Sequence, residues 1–326
     1  MDKRVLVTGG HGFIGSFVVR RLLARGYTVR CLVRGSSRTH RLDGLDVEKV
    51  VGDILKPETV AAAMVDCQVC IHLAGISSYA DMDRDFARPT IVDGTRAVLQ
   101  AALDAGVERV VYTSSATIFG SDDPTRIADE DSPFLLAGRG LTYAEAKHDN
   151  EALVDGFIEQ GLDVVVAIPT ETYGPEDDDF LTTGYLKEAI NSWPALATKG
   201  GTMYGHVDDV AEGIVLALEV GGQGERYILG SENATIRDII TLTLEIAGKK
   251  KPVLVMPTGL TKLVVGTLHR LGLPSPEHPN AIDYGTLYYF TKNDKAQREL
   301  GWKPRSGRET LEDTVRWLRE AGHIGA

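Results

Sequence analysis

Val5-Leu6-Val7-Thr8-Gly9-Gly10-His11-Gly12-Phe13-Ile14-Gly15 joins a short apolar run to a cluster of glycines. Behind it Phe13, Phe17, Val18, Leu22 and Leu23 recur at helical spacing, and Gly26 ends the pattern as a helix C-cap would. The stretch reads as strand, tight turn and helix. In that order a chain brings bare backbone against a diphosphate, and the helix start offers unpaired N–H groups and partial positive charge. Gly9 and Gly10 are expected to make the turn. Gly12 is expected to leave room for the diphosphate, where a Cβ would block it. Gly15 is expected to let the helix pack closely on the strand. The backbone from Gly12 through Phe13 and Ile14 to Gly15 then lines a dinucleotide site.

Outward from this stretch, apolar runs and amphipathic segments alternate. Strands are predicted over 3–7, 28–33, 47–51, 69–73, 107–113 and 163–168, with helices near 13–25, 57–65, 91–105 and 142–160. That rhythm specifies an α/β fold, a doubly wound parallel sheet of Rossmann type with helices on both faces. Residues 1–168 make its dinucleotide-binding core. Past 168 the pattern loosens, and 174–205 is rich in Gly, Pro and Asp. Helices are predicted at 180–191, 207–219, 235–247, 257–271 and 309–320, and short strands at 225–229 and 252–255. Residues 169–326 therefore read mainly as a smaller, mixed substrate-binding unit over the mouth of the sheet, with some segments returning to the core.

The second predicted strand, Thr28 to Val33, runs into Arg34-Gly35-Ser36-Ser37-Arg38, which holds no acid. An acid there would hold a ribose 2′-hydroxyl and repel a 2′-phosphate, whereas a guanidinium grips that phosphate with two hydrogen bonds. NADP(H) is favoured over NAD(H), with Arg34 as the reader. After the third predicted strand, Asp53 is placed to accept a hydrogen bond from the adenine amino group and Ile54 to pack on the ring.

Composition narrows the field. The 326-residue chain carries a net charge of −11, and a nucleic-acid partner requires a basic face. No apolar run reaches the length of a membrane span. The first strand starts almost at the N-terminus and leaves no room for a signal peptide, so a cytoplasmic protein is expected. Cys67 and Cys70 form a CxxC with no second pair and no clustered histidines, which speaks against a metal site; Cys70 sits in an apolar run and reads as core.

Tyr143 and Lys147 are four residues apart and share a helix face. An ammonium close to a phenol lowers its pKa and suits it to give or take a proton near neutral pH. Thr113-Ser114-Ser115 ends the fifth predicted strand, and ligands of open α/β sheets sit at such strand ends. Ser115 is placed to hydrogen-bond a substrate carbonyl.

With these pieces in order, the chain resembles an extended short-chain dehydrogenase/reductase of the NAD-dependent epimerase/dehydratase superfamily over essentially its full length. The matching stretches are Thr8 to Gly15, Gly52-Asp53, His72-Leu73-Ala74-Gly75, Tyr112-Thr113-Ser114-Ser115-Ala116-Thr117, Tyr143 to Lys147, Pro169 with Tyr173-Gly174-Pro175, His206-Val207-Asp208-Asp209-Val210-Ala211 and Leu300-Gly301-Trp302-Lys303-Pro304. Arg88-Pro89-Thr90 and the stretch 224–233 look like the dihydroflavonol-reductase-like and hopanoid-associated sugar epimerase-like branches. The resemblance implies Tyr143 as general acid/base, Lys147 binding the nicotinamide ribose, and Ser115 holding the reacting oxygen. It implies that Leu73, Ala74 and Gly75 pass beside the ribose and diphosphate, that Thr113 lines the cofactor, and that Pro169 to Thr172 contact the nicotinamide amide. His206 to Asp209 reads as structural, and Glu176-Asp177-Asp178-Asp179 as a solvated acidic loop or the edge of a lid.

Two departures bear on function. Many relatives place an asparagine of a proton relay where this chain has Ile91. Nucleotide-sugar enzymes of the family carry an arginine for the sugar nucleotide's diphosphate, whereas residues 176–205 hold no arginine and only Lys187 and Lys199 as cations. The first reading is an NADP(H)-dependent oxidoreductase acting on a small-molecule ketone, aldehyde or matching alcohol, and the apolar, basic segment 257–273 fits a hydrophobic substrate. A nucleotide-sugar epimerase or dehydratase with tightly bound NAD is the second. A cofactor-sensing regulator is the third, though such proteins often lose the tyrosine or lysine. A homodimer through the helices near 91–105 and 142–160 is compatible with their mixed apolar character.

Overall fold

The computed structural model describes residues 3–76, 81–82, 85–272 and 279–325, so Leu273, the end of the apolar segment noted above, lies outside the described residues. The first half runs β1 (Arg4–Thr8), α1 (Phe13–Ala24), β2 (Thr28–Val33), β3 (Val47–Val51), α2 (Pro57–Met64), β4 (Val69–His72), α3 (Ala87–Asp104), β5 (Arg109–Thr113), α4 (Thr142–Glu159) and β6 (Val164–Pro169). The second half runs β7 (Glu171–Tyr173), α5 (Gly184–Asn191), β8 (Ala195–Ala197), β9 (Gly201–His206), α6 (Val207–Val220), β10 (Arg226–Leu229), β11 (Glu232–Thr235), α7 (Ile236–Ile246), β12 (Val253–Val255), α8 (Thr258–Arg270), α9 (Pro279–Gly285), β13 (Tyr288–Tyr289), α10 (Asp294–Leu300) and α11 (Gly307–Glu320).

The central sheet has seven strands in the order β10-β6-β5-β4-β1-β2-β3. All pairings are parallel, with Val5 opposite Val29 on one side and Val69 on the other. The chain reverses its direction of winding at β1, which opens a crevice beyond the carboxyl ends of β1 and β4. Strand side chains alternate between two buried layers. Val5 and Val7 join Phe17, Val18, Leu22, Ile214 and Trp302 on the α1 and α6 face. Leu6 joins Met64, Leu99, Tyr112, Val154 and Phe157 on the α2, α3 and α4 face.

The third helix begins at Ala87, four residues before the predicted start at 91. Pro89 falls in its first turn, where the missing N–H has no intrahelical partner to lose. The strands β7, β8, β9, β11 and β13 and the helices α9 and α10 carry no clear periodicity. β9 is the clearest case: Gly201-Thr202-Met203-Tyr204-Gly205-His206 is buried at all six positions. It lies inside a second sheet, antiparallel to β11 and parallel to β7 and β13.

The second half returns to the first sheet through β10 and α6. Trp302 donates its indole N–H to the Asp209 carbonyl (2.7 Å), and the Arg305 N–H and Nε reach the Asp209 carboxylate (2.8 and 2.9 Å). Asp208 takes a bidentate pair from Arg21 of α1 (2.9 and 2.6 Å). These contacts give the His206–Asp209 and Leu300–Pro304 stretches their role in fastening α1, α6 and the segment before α11.

Candidate functional site

The glycine turn is shaped by close approach of backbone to backbone. Gly9 has a φ of +73°, and a Cβ there would lie 2.7 Å from the Ala74 nitrogen. A Cβ on Gly15 would lie 2.1 Å from the Gly9 oxygen, so only glycine lets α1 start this close to β1. A Cβ on Gly12 would approach only the Gly9 oxygen, at 3.2 Å, and one on Gly75 nothing within 4 Å, so both present bare backbone to open space. Gly10 takes its expected place in the turn that the Gly12 N–H closes onto the Gly9 carbonyl (2.9 Å). Its φ is ordinary, and its constraint is packing: a Cβ would meet Cys31 Sγ at 3.0 Å and Val7 and Val19 at 3.2 Å. The first turn of α1, which holds Phe13 and Ile14, has no side-chain cap and no acid. Leu73 N–H donates to the Thr8 carbonyl (3.1 Å) and Ala74 N–H to the Thr8 hydroxyl (3.2 Å), which ties the two walls of the crevice together.

Arg34 stands exposed just past β2, and the Ser37 N–H donates to its carbonyl (2.9 Å) to close a turn. Ser37 Oγ and His11 Nδ1 are buried here with no hydrogen-bond partner among the described residues. Burial, then Arg34, then Arg41 hold the His11 imidazole below its ordinary pKa. Buried polar atoms without partners are costly unless a ligand serves them. With the bare cradle at Gly12 and Gly75, they fit a bound dinucleotide. Neither residue stands out in the sequence, apart from His11 lying inside the glycine turn. Asp53 accepts from Leu55 N–H through one carboxylate oxygen (3.0 Å). Ile54 is buried against Gly94, where a Cβ would lie 2.6 Å from its Cδ1.

The acidic loop is a clamp rather than a solvated run. Glu176 accepts both guanidinium arms of Arg20 (2.9 and 2.6 Å), and its carbonyl accepts from Arg41. Asp179 pairs with Arg38 and Arg41. Asp177 is fully buried and accepts the N–H groups of Leu181, Thr182 and Thr183 (3.0, 3.0 and 2.9 Å).

Tyr143, Lys147 and Ser115 meet at the carboxyl end of β5. Ser115 Oγ accepts from the Thr117 N–H (3.3 Å) and hydroxyl (3.0 Å), so its own proton is free to be donated. The Lys147 ammonium donates to the Thr113 carbonyl (2.8 Å) and lies 5.9 Å from the centre of the Tyr143 ring. Burial lowers the lysine pKa to about 8. The expected lowering of the tyrosine is reversed: burial raises the phenol above its ordinary pKa, and a hydrogen bond from Ser115 offsets only part of that. Thr113 Oγ1 is buried beside them with no hydrogen-bond partner among the described residues. Pro169 ends β6, and Thr172 is buried with its hydroxyl donated to the Thr170 carbonyl (2.8 Å).

A buried polar chain runs beneath this trio. Thr8 Oγ1 contacts His72 Nδ1 (2.7 Å), and His72 Nε2 contacts Thr95 Oγ1 (3.1 Å). Thr95 donates to the Ile91 carbonyl (2.6 Å). The Asn150 amide nitrogen lies within reach of that carbonyl (2.9 Å), Thr95 Oγ1 (3.1 Å) and the Tyr112 hydroxyl (2.9 Å). The Thr95 proton is committed to Ile91, so neutral His72 carries its hydrogen on Nε2 and accepts from Thr8 at Nδ1. Burial drives its pKa down to about 3. An asparagine thus does reach the Ile91 backbone, from α4 instead of α3. Its place three residues beyond Lys147 puts it on the same helix face, but nothing in the sequence sets that face against Ile91.

Next to Tyr143, the residues Met82, Leu136, Leu141, Ala144, Tyr284, Leu287 and Tyr289 form a buried apolar cluster, with Ile76, Phe134 and Tyr143 packed on it. The Ala144 N–H donates to the Tyr284 hydroxyl (3.3 Å). Among the described residues Tyr289 Oη, which is buried, has no hydrogen-bond partner, a polar point in an apolar cluster. The cysteines Cys31, Cys67 and Cys70 are buried free thiols away from this trio, and burial raises each above its ordinary pKa.

The model of the NAD dependent epimerase/dehydratase family matches residues 5–230. A putative dihydroflavonol 4-reductase of Synechocystis sp. is 34% identical, covering 98% of this chain and 95% of its own. A 4-hydroxy-2-methyl-3-oxo-4-farnesyl-3,4-dihydroquinoline-1-oxide ketoreductase of Stigmatella aurantiaca is 32% identical, covering 99% and 97%. The crystal structure of gox2253 superposes with a TM-score of 0.83 at 32% identity, covering 99% of this chain and 100% of that one.

Proposed function

The chain belongs to the NAD dependent epimerase/dehydratase family, extended short-chain dehydrogenase/reductases that are NAD(P)-dependent oxidoreductases, and from that premise we propose an NADP(H)-dependent reductase of an apolar ketone or aldehyde. The observation that carries the reading is the Ser115–Tyr143–Lys147 trio at the end of β5, with Tyr143 packed against a buried apolar cluster. The relatives named as reductases, one of them for a farnesylated ketone, support it. When bound, a reduced nicotinamide supplies hydride to the carbonyl carbon. Ser115 donates a hydrogen bond to the carbonyl oxygen, and Tyr143 delivers the proton that completes the alcohol. Lys147 holds the ribose and, below pH 8, keeps positive charge beside the phenol as that proton leaves. Arg34, aided by Ser37 and His11, reads the 2′-phosphate. Gly9, Gly12, Phe13, Ile14, Gly15, Leu73, Ala74 and Gly75 take the diphosphate and riboses, Asp53 and Ile54 the adenine, and Thr113, Pro169 and Thr172 the nicotinamide end. A homodimer through α3 and α4 belongs to the same proposal, with Val92, Ala152 and Leu153 on the shared groove.

The family name keeps the nucleotide-sugar epimerase or dehydratase as the second reading. Against it, Lys187, one of two cations between 176 and 205, lies 3.8 Å over the Phe180 ring instead of being free for a diphosphate. Native mass spectrometry of freshly purified protein separates the two. The reductase reading expects empty protein that takes up NADPH in preference to NADH and then consumes it with an apolar carbonyl compound. A full complement of tightly held NAD would overturn it in favour of the second.

A further inference from the structure

The apolar residues of α8 point away from the protein. Only Val265 of the helix is buried, while Leu260, Leu263, Val264 and Leu271 just past its end are 49, 68, 47 and 66% exposed. Their spacing puts them on one outward stripe. The exposure continues into the strand before the helix, where Leu254 and its register partner Leu196 on β8 are exposed together.

Charge says what covers this face. From Ile246 to Pro276 the sequence has no acidic residue and five cations, Lys249, Lys250, Lys251, Lys262 and Arg270, in a chain of net charge −11. Lys251 is bound to the Ile190 and Ser192 carbonyls and Lys262 pairs with Asp283, whereas Lys250 and Arg270 are exposed. An apolar stripe in a positive field complements an anionic bilayer, whose acyl region takes the leucines and whose phosphates take the cations. A second copy of this chain docking through the same face would bring like charges together. At 13 residues α8 is too short to cross a bilayer and fits one lying along its surface.

The face also adjoins the site. α8 packs on α9, and Tyr284 of α9 accepts the N–H of Ala144, next to Tyr143. We propose that α8, with the edge of β12, docks on anionic lipid membranes, so that an apolar substrate reaches the enzyme from the bilayer on the side where α9 packs beside the start of α4. The substrate clause rests on the reductase reading; the docking itself does not.

The test is flotation of the full chain with phosphatidylcholine vesicles, with and without phosphatidylglycerol, alongside NADPH uptake by native mass spectrometry. The wild type is expected to partition at least about tenfold better into the anionic vesicles. Leu263→Glu with Leu271→Glu, both at exposed positions, is expected to lose about tenfold or more of that partition with NADPH uptake unchanged. Lys250→Gln with Arg270→Gln keeps the stripe and is expected to lose about fivefold per charge. Equal, weak partition of wild type and variants would overturn the docking and leave the reductase reading standing. So would self-association, in sedimentation velocity, that the leucine variants abolish. Vesicle binding without NADPH uptake would sustain the docking and sink only the reductase reading.

Discussion

In the proposed reductase Tyr143 acts through one hydroxyl, and its surroundings set what that hydroxyl does. Burial favours the neutral phenol, a proton donor, and the Ser115 hydroxyl offsets part of that until a substrate oxygen takes its hydrogen bond. Tyr143→Phe is expected to cut turnover by about 10² to 10⁴-fold while NADPH binding stays intact, checked by steady-state kinetics beside a cofactor titration. A variant retaining full turnover would remove Tyr143 from the role. Gly9, Gly15, Tyr143 and Lys147 were legible in the sequence because a turn of glycines and a helical spacing of four are local facts. Ser37, His11 and Tyr289 were not, because what marks them is a buried atom without a partner, and burial is decided by segments far away in the chain.

Among the elements, α6 shows how a helix start becomes a pH sensor of stability. His206 is its N-cap: Nδ1 accepts the Asp208 N–H (3.1 Å), and burial, then Arg305, lowers the imidazole pKa to about 4 despite three nearby aspartates. Below pH 6.5 the unfolded chain takes a proton at this residue, and the folded chain does not until about pH 4. Unfolding therefore binds protons in that window, and stability falls as pH falls, by up to about 3 kcal/mol. His72 acts in the same direction, down to about pH 3. His206→Asn keeps an acceptor for the cap and removes the titration. Its Tm is expected to decline less steeply than the wild type's between pH 6.5 and 4, read by thermal melts across that range. The long amphipathic elements were readable because their apolar positions repeat within one element. α3 started early because a proline is harmless in a first turn, and β9 was missed because a strand buried on both faces has no alternation to read.

Across the molecule, one ion-pair network joins α1, α6 and α11. Arg21 and Arg305 both reach Asp208, and Arg305 also binds Asp209 and Asp313 (2.9 and 3.1 Å). Removing one partner of a largely buried pair leaves the other charge uncompensated. Arg305→Leu is expected to cost about 2–3 kcal/mol in urea unfolding, with the 169–326 half losing its cooperativity with the first sheet. An unchanged midpoint would show the network to be ornamental. The sequence alone determined the parallel core, the glycine turn, the helix bearing Tyr143 and Lys147, and the family resemblance, since each rests on periodicity or spacing within a few dozen residues. Only the tertiary structure decided that the acidic loop clamps Arg20, Arg38 and Arg41, that Asn150 reaches the Ile91 backbone, and that α8 turns its leucines outward. Each of these joins segments tens of residues apart or more, or turns on which face of a helix finds a neighbour, and spacing along a chain cannot encode that.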